Sequence, residues 1–333
     1  MRKLISASLL LAFSLAATAA LAAPSGTVFT ANERGNSISQ ITLADGNVTT
    51  IPLEISPHNV QVSTDGKRLL AVGMNIHAGH HGSGQSAGEL QVFDLPLGSK
   101  PSFILKVAGH PGHVVTDRDS KLAFVTDADN NAVQVYELES KRQVATIKTG
   151  NYPHGLRLSP DGSSLYVANV KSDSVSVIDV PSLKETGRIA VGNAPVQVGF
   201  AADGKQAYVS LSAENALGLI DTASRKLSSK VTVGRNPIQM YATPDGSKVF
   251  VANQGSSKQP DNRVSVVDPA AGKTIAEVPT GNGAHGVAIS SDGQYVFVSN
   301  IEAGTMSVID SQQHVVVKSY KVGDGPNGIS YHE

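Results

Sequence analysis

Short apolar stretches recur along the chain, and in each the apolar residues alternate with serine, threonine or another polar side chain. One type reads FTAN (29–32), AVGM (71–74), FVTD (124–127), YVAN (166–169), YVSL (208–211), FVAN (250–253) and FVSN (297–300). A second follows each time: ISQI (38–41), LQVFD (90–94), VQVYE (133–137), VSVID (175–179), LGLID (217–221), VSVVD (264–268) and MSVID (306–310). Period-two alternation bounded by Gly, Pro, Asp and Asn predicts half-buried or sandwiched β-strands. The best-formed unit, residues 153–195, opens on a strand that ends in the turn Ser159-Pro160-Asp161-Gly162.

The turn aspartate gives the register. Asp65, Asp119, Asp161, Asp203, Asp245 and Asp292 are separated by 54, 42, 42, 42 and 47 residues, matching the ~40–45 residues of a four-stranded propeller blade. The two longer spacings are loop insertions. Seven pairs of middle strands but only six complete turns leave one unit split between the ends. The chain begins at a YVAN-type strand and stops at Gly325-Pro326-Asn327-Gly328-Ile329-Ser330-Tyr331, an inner strand without partners. The predicted fold is therefore all-β: one seven-bladed β-propeller, residues 23–333, closed by a composite blade of N- and C-terminal strands, which leaves no open sheet edge.

The YVAN-type strand, the SPDG turn, the SVID strand and the VGxxP lead-in together resemble the YVTN β-propeller repeat family, whose periplasmic members are called YncE-like. The resemblance spans nearly all of residues 23–333. It implies the fold and leaves function to the loops, because similar propellers serve as binding scaffolds, cofactor-holding domains and lactonases.

Composition narrows the chemistry. No cysteine is present, which removes thiol nucleophiles, disulfides, Cys-ligated zinc and iron–sulfur clusters and leaves His, carboxylate and Met as metal ligands. Lys plus Arg is 27 against 28 Asp plus Glu, so no global field draws the chain to nucleic acid, and nucleic-acid partners are not expected. Arg2 and Lys3 precede the apolar run Leu9–Phe13 and a small-x-small site, Ala20-Leu21-Ala22. Residues 1–22 read as a cleaved secretory signal, predicting a monomeric periplasmic protein without stable membrane insertion.

The histidines are unevenly spread. His58, His154 and His285 share one slot, directly after Pro57, Pro153 and Ala284, where an inner strand begins at the channel mouth; His113 falls one residue later in its turn, near His110. The insertion Met74–Leu90 carries His77, His80 and His81 and joins second and third strands, which puts it on the same face as the lead-in turns. His58, His77, His80, His81, His110, His113, His154 and His285 are thus candidate metal ligands, with copper or zinc as the ion, since imidazole is the common ligand for both. Asp117, Asp127, Asp129 and Glu89 are expected near the same face as carboxylate partners, and Met74 as a packed strand-end residue or soft ligand. Lead-in histidines that only bond a neighbouring blade, and a merely solvated HxxHH loop, account for the same residues.

The expected function is a periplasmic binding propeller that holds a metal ion or small ligand, or presents a surface to a periplasmic protein. An enzyme or cofactor domain, lactonase-like or d1-haem-like with Arg157 and Arg235 as candidates for haem carboxylates, stays open beside it, as does a pure interaction scaffold. Nucleophile-elbow, phosphate-loop and zincin-helix motifs are lacking in the sequence.

Overall fold

A computed structural model describes residues 23–77 and 88–333. Residues 1–22, read above as a secretory signal, lie outside the described residues, as do His80 and His81. Seven four-stranded antiparallel sheets account for all 28 strands, and a single 3₁₀ turn, Ser212–Glu214, is the only helical element among the described residues. No helix there is long and apolar enough to cross a membrane. The sheets are the blades of the expected propeller. Blade 1 is composite: its inner strand is Pro326–His332, followed outward by Thr27–Asn32, Ser37–Thr42 and Val48–Pro52.

Each turn residue has a physical task. In blade 4 the Asp161 carboxylate accepts from Ser159 Oγ at 2.6 Å and from the Ser163 N–H at 3.0 Å, while Gly162 takes φ +76°. That conformation is nearly free for glycine and costly for other residues. The asparagine ending the YVAN strand ties strands two and three together: Asn169 Nδ2 donates to Ser174 Oγ (3.1 Å) and Ser176 Oγ (2.9 Å). Asn32 and Asn300 make the same pair of bonds in their own blades. Blade 3 reverses the polarity, with Asp127 accepting from Gln134 Nε2 and Asn130 Nδ2.

The core lies between blades, as a propeller requires. Each apolar cluster draws on two neighbours; Leu70, Val72, Leu90 and Val92 of blade 2 pack on Val114, Ala123 and Val125 of blade 3. The seam is packed in the same way. Val28, Ile41 and Ile329 of blade 1 meet Phe297, Met306 and Val308 of blade 7, and Tyr331 stacks on Phe297 with centroids 5.2 Å apart.

The inner strands share an irregularity that matters for the site. The ladder slips near the start of all seven, between Pro57 and Asn59, Pro111 and Val114, Pro153 and Leu156, Pro195 and Val198, Pro237 and Met240, Ala284 and Val287, and Pro326 and Ile329. The slip frees one residue from the ladder in blade 2, His58, and two in the others, and re-aims their side chains. The freed N–H still needs an acceptor. In blade 3 Thr126 Oγ1 accepts from the His113 N–H (2.9 Å) and donates to the His154 carbonyl (2.8 Å), coupling blade 3 to blade 4. Ser210 does the same for Gln197 and Ile238, and Ser299 for Gly286 and Asn327.

Candidate metal centre at the channel mouth

Bulges at the start of the inner strands bring His58 of blade 2, His113 of blade 3 and His154 of blade 4 to one point. Ring centroids are 5.5 Å (His58–His113), 5.1 Å (His58–His154) and 4.8 Å (His113–His154) apart. One coordinating atom from each of the three lies within 4.8 Å of the others. The bulge explains why His113, one position later than the other two, still joins them.

Hydrogen bonds fix each ring. His154 Nδ1–H donates to the Val196 carbonyl at 3.2 Å, which leaves its Nε2 with a lone pair. That lone pair faces His58 Nε2 at 3.1 Å, so His58 Nε2–H is the donor. On its other side His58 Nδ1 meets Glu33 Oε1 at 3.1 Å and the Asn327 amide nitrogen at 3.2 Å, while that amide donates to Glu33 Oε2 at 2.6 Å. His58 can therefore carry or release the Nδ1 proton without any heavy atom moving. A carboxylate behind a histidine is the arrangement that orients metal-binding imidazoles and raises their basicity.

His113 is the exception. Its Nδ1 lies 3.4 Å from Gln197 Nε2, and its Nε2 is fully buried with no hydrogen-bond partner. Leaving such an atom unpaired costs roughly 1–3 kcal/mol. Gln197 reaches it from blade 5 because residue 155 between them is glycine; a Cβ there would sit 2.2 Å from Gln197 Oε1.

The site holds His113, His154 and His285 neutral. Burial, then the neighbouring His154 and His58 rings, push His113 well below the usual imidazole range. Burial and His58 lower His154 to about 3, against the opposing pull of its bond to Val196. His285 falls to about 4 through burial and the proximity of His58. Burial drives Glu33 upward, but the His58 hydrogen bond and attraction and the Asn327 amide outweigh it and bring the carboxyl to about 2. Neutral imidazoles beside an ionised carboxylate are in the protonation states a cation requires.

Two stretches of the chain, residues 81–242 and 234–332, match the family described as YNCE-like β-propeller. The chain belongs to that family. Among solved structures, this YNCE-like propeller is similar to Kuenenia stuttgartiensis hydrazine synthase, with TM-score 0.71 and 20% identity over 82% of this chain and 89% of that one. It is also similar to a functionally unknown protein from Desulfotomaculum acetoxidans DSM 771, with TM-score 0.76 and 18% identity over 92% and 99%. At these identities the likeness shows the fold alone. No curated protein matches the chain.

Within the YNCE-like ring the remaining candidates lie apart from the three histidines. His285 is buried across the channel mouth with Nδ1 on the Asn327 carbonyl at 3.1 Å; it influences the rings electrostatically without joining the group. His110 is exposed. His77 is exposed too and pairs with Glu54. Glu89 is committed to Asn75 and Gln91, and Asp127 to the blade ladder described above. Asp117 requires a correction: it caps the hairpin between the first two strands of blade 3, accepting from the Lys121 and Leu122 N–H groups, at the end opposite the lead-in turns. Arg235 and Arg263 both pair with buried Asp261. Glu33 was not anticipated. The position after the YVAN-type motif holds Asn75, Ala128, Val170, Ser212, Gln254 and Ile301 in the other units, so a lone acidic residue there was the available signal.

Proposed function

We propose that this YNCE-like propeller is a periplasmic binding protein that holds one divalent transition metal, copper or zinc, at its channel mouth through His58, His113 and His154. The observation that carries this reading is the buried, partnerless His113 Nε2 set beside two rings whose nearest nitrogens share a single proton. A cation placed among them would replace that proton and give His113 Nε2 the partner it lacks. Three nitrogen donors without sulfur suit Cu(II) and Zn(II) better than Cu(I) or hard ions. Glu33 would orient His58 from behind. His77, His80 and His81 would serve as a first capture step ahead of the fixed set. Export rests on the Arg2-Lys3 leader, with residues 1–22 removed and 23–333 forming the working domain.

The test is elemental analysis of untagged protein isolated from periplasm, followed by titration of the metal-free form with Zn(II) and Cu(II). One equivalent of metal, absent from the His58→Ala/His113→Ala/His154→Ala protein, is expected. Equal loading of that triple variant would overturn the assignment.

A further inference from the structure

The other end of the channel carries a second constellation. Three residues beyond the slot of His58 and His154, each inner strand contributes one side chain near the far mouth. Arg157, Tyr241 and Gln61 occupy three of these seven positions, and glycine, alanine, serine and valine the rest. Small residues leave room there. Gly199 of blade 5 sits between Arg157 of blade 4 and Tyr241 of blade 6, and over it opens a cleft of about 300 Å³ walled by Phe200, Met240 and Tyr241. A recess of about 60 Å³ adjoins it, sharing Arg157 and Tyr241 and reaching Gln61 and Ser330.

Arg157 is held on two sides. Its Nη1 donates to Gln61 Oε1 at 3.0 Å across the channel, and its guanidinium carbon lies 5.4 Å from the centre of the Tyr241 ring. Among the described residues no carboxylate pairs with it, and its Nε and Nη2 have no hydrogen-bond partner. Most other arginines of the chain do have acidic partners: Arg34, Arg68, Arg188, Arg235 and Arg263 each face one. A half-buried guanidinium, fixed in place with an open donor edge, is built to meet an anion from outside.

We infer that the far mouth binds a small organic carboxylate with an apolar or aromatic body. The carboxylate takes the free edge of Arg157, and the body lies over Gly199 between Phe200, Met240 and Tyr241. The ligand's apolar part is set by those walls. A bare inorganic anion would find one guanidinium and an otherwise apolar lining, whereas carbon skeletons gain from that surface. The cleft's size is at the lower bound of about 300 Å³ for small-molecule pockets. This site shares no residue with the metal centre, although the Arg157 charge reaches His113.

Phenylacetate is a suitable probe, titrated by calorimetry into the full-length protein alongside its uncharged analogue 2-phenylethanol and inorganic phosphate. Saturable one-to-one binding of phenylacetate is expected, with 2-phenylethanol and phosphate each at least tenfold weaker. Arg157→Gln should weaken phenylacetate at least tenfold and Arg157→Lys less. Gly199→Leu should abolish binding by filling the cleft, since a Cβ there meets nothing closer than Met240 Sδ at 3.5 Å, an ordinary van der Waals contact. His113→Ala should leave phenylacetate affinity unchanged, which separates this site from the metal centre. No saturable binding to the wild type, equal affinity in a folded Arg157→Gln protein, or phosphate binding as tight as phenylacetate would each overturn the inference.

Discussion

Replacing His113 by alanine separates a metal ligand from a satisfied core histidine. In the metal-free protein the change removes a buried nitrogen that has no partner. The roughly 1–3 kcal/mol released by deleting that orphan offsets the packing lost by a ring set against His58 and His154, so stability should change by no more than about 1 kcal/mol. Metal binding should respond very differently. Structural zinc sites contribute about 10–16 kcal/mol over four ligands, or about 2.5–4 kcal/mol per ligand, which is roughly 100- to 1,000-fold in affinity at 1.4 kcal/mol per decade. At a free Zn(II) concentration of about 100 times Kd, wild-type protein gains about 2.7 kcal/mol. With an unfolding entropy of about 2.1 cal/mol/K per residue over ~300 residues, that raises Tm by about 4 °C. The assay is a thermal scan with and without Zn(II), paired with competition titration against a chromophoric chelator. His113→Ala should keep its metal-free Tm and lose the shift, whereas His110→Ala, exposed and outside the group, should keep both. A His113→Ala protein that loses more than about 3 kcal/mol without metal yet binds Zn(II) as tightly as wild type would refute the reasoning and make His113 a structural residue.

Acid should destabilise the protein in two windows. His285 titrates at about 4 when folded and near 6.5 when unfolded, so the unfolded chain binds the extra proton between these values. Stability should rise with pH across that range and be flat above it, with roughly 3 kcal/mol lost by pH 4 from this ring. Glu33, at about 2 when folded against 4.5, adds a further loss as pH falls from 4.5 toward 2. Urea midpoints measured against pH should show a shallower slope between pH 4 and 6.5 in His285→Gln; an unaltered slope would contradict the assignment. Asn169→Ala removes two buried bonds to Ser174 and Ser176 and should cost about 2 kcal/mol in chemical denaturation, whereas a neutral result would mean water replaces the amide. Ile329→Ala, at the seam between blades 1 and 7, should cost about 2–4 kcal/mol and speed unfolding, and an unfolding rate equal to wild type would show that ring closure does not limit it.

The repeat was legible from the chain alone because each unit carries its own local requirements. A Pro-Asp-Gly turn needs an aspartate acceptor and a positive-φ residue, strands sandwiched between neighbours need apolar residues on both faces, and the strand-ending asparagine needs its serines on the next strand. These demands act within about 40 residues and repeat, so period and blade number follow from them. The slot shared by His58, His154 and His285 was equally visible. Which imidazoles meet was decided by the tertiary structure. Ring closure places blades 2, 3 and 4 side by side and His285 across the mouth, and the bulges turn His113 inward although its position is one residue out of phase. Glu33 and Asn327, from opposite ends of the chain, reach His58 only because the composite blade joins the termini. Arg157 sits a few residues from His154 in sequence yet at the other end of the channel, because an extended strand advances about 3.3 Å per residue and carries it through the ring. Short-range turn and strand chemistry is written in consecutive residues, while a site assembled from five blades exists only once the circle has closed.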